Sequence, residues 1–103
     1  MTPEHFNGLT PAEAERLALL IEECAEVIQA ATKILRHGYE SRNPLVADGE
    51  SNRAALATEL GHLEHAVQRM CSAADVNAID LLASAQRKAE RIARWLHHQE
   101  AQP

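Results

Sequence analysis

The sequence predicts an all-α fold: a helical bundle of three main helices behind a short N-terminal arm, completed by oligomerisation. Three observations lead there. Apolar residues recur at the helical period through three separate stretches. Each stretch opens on a capping residue and runs into turn-forming or frayed sequence. Nowhere does hydrophobicity alternate with the period of two that a half-buried strand requires. The 103 residues make one small domain, near the lower limit for a self-sufficient core. Apolar residues make up 46%, but Ala and Leu dominate and Phe, Tyr and Trp occur once each, so a partner surface is expected to supply missing burial.

Residues 1–9 read as an irregular arm and residues 100–103 as a tail, with the helical domain over 10–99. Thr10 opens the first helix with a capping box, Glu13 reaching back to it and Pro11 suiting the first helical position. Leu17, Leu20, Ile21, Cys24, Val27, Ile28, Ala31, Ile34 and Leu35 sustain the period until Gly38 stops it, which gives about 27 residues. The stretch 38–51 is rich in turn formers. Ser51 or Asn52 caps a second helix carrying Leu56, Leu60, Leu63, Val67 and Met70. After a break at 72–77, Asp75 or Asn77 caps a third helix with Ile79, Leu82, Ala85, Ala89, Ile92 and Leu96, expected to end near His97 to Gln99.

Charge narrows the function. Ten basic against 15 acidic residues leave a net charge of −5, without the basic stripe of a nucleic-acid-binding protein. An acidic protein that handles a polyphosphate must neutralise that charge locally, most simply with bound metal. No apolar run approaches the roughly 18 residues of a membrane span, and no signal peptide is visible, so a cytoplasmic protein is expected. Cys24 and Cys71 lack metal or redox spacing and are expected to be reduced core residues.

The informative positions are acidic. Glu22, Glu23 and Glu26 lie in the first helix, and Glu59 and His62 in the second. Glu23 with Glu26, and Glu59 with His62, are three apart and share a helix side. At about 100° per residue, the first helix centres its apolar stripe on Leu17, Cys24, Ala31 and Leu35. Glu22 falls opposite that stripe, facing solvent. Glu23 and Glu26 fall on a flank with Leu19 and Ala30, which suggests contact with another helix, and Glu59 and His62 fall on a flank with Ala55 and Ala66. A solvated acidic face would explain the first run alone. Convergence would cost roughly 3 kcal/mol per carboxylate pair near 5 Å at an effective dielectric of about 20, so the cluster would need a cation or a captured proton.

Glu22-Glu23-Cys24-Ala25-Glu26, then a loop, then Glu59-Leu60-Gly61-His62, resembles the signature of the MazG-like all-α nucleoside triphosphate pyrophosphohydrolases over about Thr10 to Gln99. The segment from Lys33 to Asn43 is similar to small phage members. The resemblance implies hydrolysis of a (deoxy)nucleoside triphosphate to monophosphate and pyrophosphate with Mg²⁺ or Mn²⁺, in a homodimer or homotetramer. It makes Glu23, Glu26, Glu59 and His62 the metal-ligand set and Glu22 and Glu23 catalytic, with Glu22 binding metal or orienting water. Lys88 and Arg91 fall where relatives place a basic phosphate-facing group. Two departures stand out: His62 occupies the family's aspartate position, and the connection between the motifs is longer than usual. Imidazole favours Mn²⁺ over Mg²⁺. One phage branch, the MazZ type, acts on dGTP, but no residue here fixes the base.

Lys33, Arg36, Lys88 and Arg91 are candidates for the outer phosphates, each also explicable as a solvated helix residue. Asn52, with Tyr39 and Asn43, is a candidate for the base, and Trp95 for a core or interface anchor. His65, His97 and His98 are expected to be solvated. Two other classes compete. Glu59-x-x-His62 is also a di-iron carboxylate spacing, which requires a second such motif from another copy. A non-catalytic acidic dimerisation or adaptor module explains the Ala/Leu composition but not the two acidic pairs.

Overall fold

The computed structural model describes residues 6–100. Of the expected arm and tail, residues 1–5 and 101–103 lie outside that range. The architecture is all-α: α1 spans Pro11–His37, α2 Asn52–Ser72 and α3 Ala78–Ile92, with no strand among the described residues. No helix is long and apolar enough to cross a membrane.

The capping box forms as the sequence requires. Thr10 Oγ1 accepts from the Glu13 backbone N–H at 3.1 Å, and Glu13 Oε1 accepts from the Thr10 N–H at 2.8 Å. At the other end Gly38 takes a positive φ of 86° and its N–H returns to the Ile34 carbonyl at 2.7 Å. Ser51, not Asn52, caps α2 by accepting from the Ala54 N–H, and Asn77, not Asp75, caps α3. Asp75 is occupied elsewhere. Its carboxylate takes a two-point bond from Arg16, Nε to Oδ2 at 2.6 Å and Nη2 to Oδ1 at 3.0 Å.

That bond ties the start of α1 to the end of α2. Between α2 and α3 the chain turns through a Schellman arrangement: the Asp75 N–H meets the Met70 carbonyl and the Ala74 N–H that of Cys71. Ala74 sits at φ 61°, where glycine is usual. At the far end of the pair the 38–51 segment folds back on itself. The Asn52 N–H donates to the Ser41 carbonyl and the Arg53 N–H to that of Tyr39, and Arg42 pairs with Ser51 as an isolated antiparallel bridge. Clamped at both ends, α1 and α2 run antiparallel.

Three positions depart from the sequence expectation. Among the described residues only Ala30, Ala66 and Met70 are buried, so one chain has almost no closed core. The α1 side that meets α2 carries Leu20, Glu23, Val27 and Ala30, while Cys24 and Leu35 from the expected stripe are exposed. Cys24 is thus not a core residue of the single chain, and Cys71 is half-buried. The reason is that α1 is apolar on more than one side, and on this one the small Ala30 and Ala66 are buried between the helices. Third, α3 stops at Ile92 and tightens into a 3₁₀ turn over Ala93–Trp95, short of His97. It has no extended packing against α1 or α2, and Trp95 is exposed, not a core anchor within one chain.

Candidate metal centre

The antiparallel register brings the two acidic pairs face to face. Glu23 and Glu26 stand one turn apart on α1, Glu59 and His62 one turn apart on α2. One ligand-capable atom from each of the four lies within 4.8 Å of every other. His62 Nδ1 is 3.5 Å from Glu59 Oε2 and 3.7 Å from Glu23 Oε2, too long for hydrogen bonds. Glu23 and Glu59 are largely covered, His62 is more open to solvent.

Two carboxylate oxygens of the group are unsatisfied. Glu23 Oε2 and Glu59 Oε2 are both buried and neither has a hydrogen-bond partner. A buried carboxylate oxygen left unpaired is costly, and two in one cluster more so. Glu26 relieves part of the strain. The hydrogen bond it shares with Glu59, helped by the negative charge there and by partial burial, pushes its carboxyl above the usual range.

Does the donor set suit a cation? Three carboxylates and one imidazole are the ligands of Mn²⁺ and similar divalent ions, with Mg²⁺ accepting the oxygens more readily than the nitrogen. Ligand atoms about 2.1 Å from a six-coordinate ion lie about 3–4.2 Å apart, so a spread of up to 4.8 Å needs only slight contraction. Four protein ligands leave two positions for water or substrate oxygens. The residues fit.

A cleft of about 720 Å³ opens beside the cluster, with Glu26 and Glu59 in its wall. This is within the size range of small-molecule sites. Lys33 and Arg36, about two and three turns along from Glu26, line it together with Asn52. Asn52 already has a structural bond, Nδ2 donating to the Gly38 carbonyl at 3.1 Å. The cleft thus carries Glu50 as well as Glu26 and Glu59 beside the basic Lys33, Arg36 and Arg42.

Other sequence candidates lie elsewhere. Glu22 is exposed and does not join the four-residue group. Lys88 and Arg91 ride on α3 and do not line the cleft of their own chain, because α3 stands away from the α1–α2 pair. Tyr39 does not line it either; its ring carries the Arg53 guanidinium at 4.3 Å, which also bonds Glu40. Asn43 does line the cleft, with its Oδ1 accepting from the Leu45 N–H. His65 accepts from Arg69 Nε and stays out of the cluster, and His97 and His98 are exposed, as expected. Sequence reasoning missed Arg42 and His37, both in the cleft wall. The signal was present, since both flank the glycine stop of α1 where the chain turns back over the site.

No family model, curated protein or solved structure matches this chain.

Proposed function

We propose that this protein hydrolyses a (deoxy)nucleoside triphosphate to the monophosphate and pyrophosphate, with Mn²⁺ or Mg²⁺ held by Glu23, Glu26, Glu59 and His62. The observation that carries the reading is the pair of buried, partnerless oxygens on Glu23 and Glu59, set in a ring of four ligand-capable groups beside a cleft with basic walls. A solvated acidic face would let those oxygens reach water.

A bound divalent ion supplies neutralising charge for phosphate oxygens and a more acidic water. The chain's own groups do the rest. Lys33, Arg36 and Arg42 line the cleft, and in this reading they hold the outer phosphates away from the carboxylates. The outward phosphates then point toward the basic end, leaving the α-phosphorus nearest the glutamates. Water attacks that phosphorus, the bond to the bridging oxygen of the β-phosphate breaks, and pyrophosphate leaves with the bond's electron pair. The proton lost by the water passes to a carboxylate. Glu23, whose second carboxylate oxygen would stay free of the ion, is closer to the cluster for this than exposed Glu22.

The same reading places the protein among the enzymes of the cytoplasmic nucleotide pool and makes it a homo-oligomer. dGTP is one substrate to test. The test is pyrophosphate release from each common ribo- and deoxyribonucleoside triphosphate with Mn²⁺ or Mg²⁺. Turnover that chelator abolishes is expected; no turnover on any of them refutes the hydrolase.

An adaptor role is the second reading, favoured by the exposed apolar sides of α1 and α3. Calorimetric titration separates the two, because an adaptor has no use for Mn²⁺ and should not bind it stoichiometrically. The di-iron reading has less support, since one chain supplies a single Glu-x-x-His pair. Iron content and visible absorbance of the isolated protein decide it.

A further inference from the structure

We infer that the hollow between the first turns of α1 and the last turns of α2 binds a small phosphate-bearing anion, with Arg69 as its charged anchor. The hollow lies at the other end of the helix pair from the cleft and shares no lining residue with it. The inference therefore stands if the hydrolase reading fails.

The hollow measures about 480 Å³, within the range of small-molecule sites. Arg16, His65, Gln68, Arg69, Ser72 and Ala73 line it. Five of these six side chains can donate a hydrogen bond, and none is a carboxylate. The cleft, by contrast, has three carboxylates in its wall, Glu26, Glu50 and Glu59.

Two basic side chains are bonded to each other here. Arg69 Nε donates to His65 Nε2 at 2.8 Å. Arg69 forms no ion pair among the described residues, so no carboxylate answers its charge. With Nε engaged, its two terminal guanidinium nitrogens remain as donors, in the fork that suits phosphate oxygens. An accepting Nε2 carries no hydrogen, which leaves the His65 ring hydrogen on Nδ1 as a further donor.

Arg16 adds a donor more than it adds charge. Its Nε and Nη2 are bound to Asp75, and Nη1 is left over. Asp75, Glu13 and Glu15 all act on Arg16 electrostatically, but none of the three lines the hollow. Glu64 is taken up by Gln68, whose Nε2 donates to it at 3.3 Å. The negative end of α2 is muted as well. Its Arg69, Met70 and Cys71 carbonyls accept from the Ala73, Asp75 and Ala74 N–H groups. Donors from both helices thus surround one concave space. Phosphate, with oxygens in several directions, suits that arrangement better than a carboxylate with two oxygens in one plane.

The test is a titration of the full metal-free chain with inorganic phosphate, at fixed pH and ionic strength, followed by NMR of isotope-labelled histidine rings. His65 reports on the hollow and His37 on the cleft, and His65→Gln and His37→Gln assign their signals. A saturable shift at His65 is expected with phosphate and not with acetate. Arg69→Gln should weaken phosphate binding at least about tenfold, the lower end for a charged hydrogen bond. Arg87→Gln, which removes the same charge from α3, should leave it unchanged. No saturable shift at His65, a shift confined to His37, an equal response to acetate, or undiminished affinity in Arg69→Gln overturns the site. An equal loss in Arg87→Gln reduces the effect to net charge and overturns it too. The wild-type response decides the matter even if Arg69→Gln fails to fold.

Discussion

Replacing Glu59 by Gln should make the metal-free protein more stable and at the same time deprive it of its response to Mn²⁺. Glu23 and Glu59 are 12% and 25% exposed, so their repulsion is only partly screened. At the 4.8 Å outer limit of the cluster, two carboxylates repel by about 3 kcal/mol with an effective dielectric of about 20. An amide removes one charge at nearly constant shape. If only a third of that repulsion is relieved, about 1 kcal/mol, Tm rises by about 4–8 °C for a domain of this size. The wild-type protein should gain about 2.7 kcal/mol when free Mn²⁺ reaches a hundred times its dissociation constant, and the variant far less. The assay is thermal unfolding followed by circular dichroism, with chelator or with Mn²⁺, at one fixed protein concentration. A lower metal-free Tm for Glu59→Gln, or an undiminished shift with Mn²⁺, would mean that the cluster is a self-sufficient polar network and that the metal-site reasoning is wrong.

Other expectations concern single residues. Glu23→Gln and Glu26→Gln should each lower kcat by at least about a hundredfold while helical content stays the same; full turnover in either variant removes that residue from the site. Lys33→Ala or Arg36→Ala should raise KM about tenfold, the lower end of what a charged hydrogen bond contributes, and an unchanged KM places the phosphates elsewhere. Ala74→Gly should stabilise the chain by about 0.5–1 kcal/mol, since glycine carries no penalty at the positive φ that Ala74 adopts; denaturant unfolding measures it. The Arg16 hydrogen bond holds the Asp75 carboxyl below its usual range of 3.8. The unfolded chain therefore binds this proton more readily, so the bond's contribution to stability is complete above about pH 4 and is lost as pH falls through the lowered value. Asp75→Asn should flatten that part of the acid-unfolding curve.

The amino-acid order alone determined what is local in this protein. Thr10, Glu13 and Pro11 start α1 and Gly38 ends it, because capping needs only neighbouring backbone and side-chain groups. The pairing of Glu23 with Glu26, and of Glu59 with His62, follows from helical pitch. Rotation of one helix against another does not. Apolar residues surround much of α1, so periodicity could not say which side α2 would take, and the side chosen left Cys24 and Leu35 outside. Tertiary structure also decided that Asp75 binds Arg16 instead of capping α3, and that the 38–51 turn brings Arg42 into the cleft wall beside His37 of α1. It parted Lys88 and Arg91 from that cleft in the single chain, since α3 follows the direction of the turn at Ala74 and finds no helix of its own chain to lie on. Contacts between distant segments depend on where clamps such as Arg16–Asp75 hold the chain, and no spacing along a single helix carries that information.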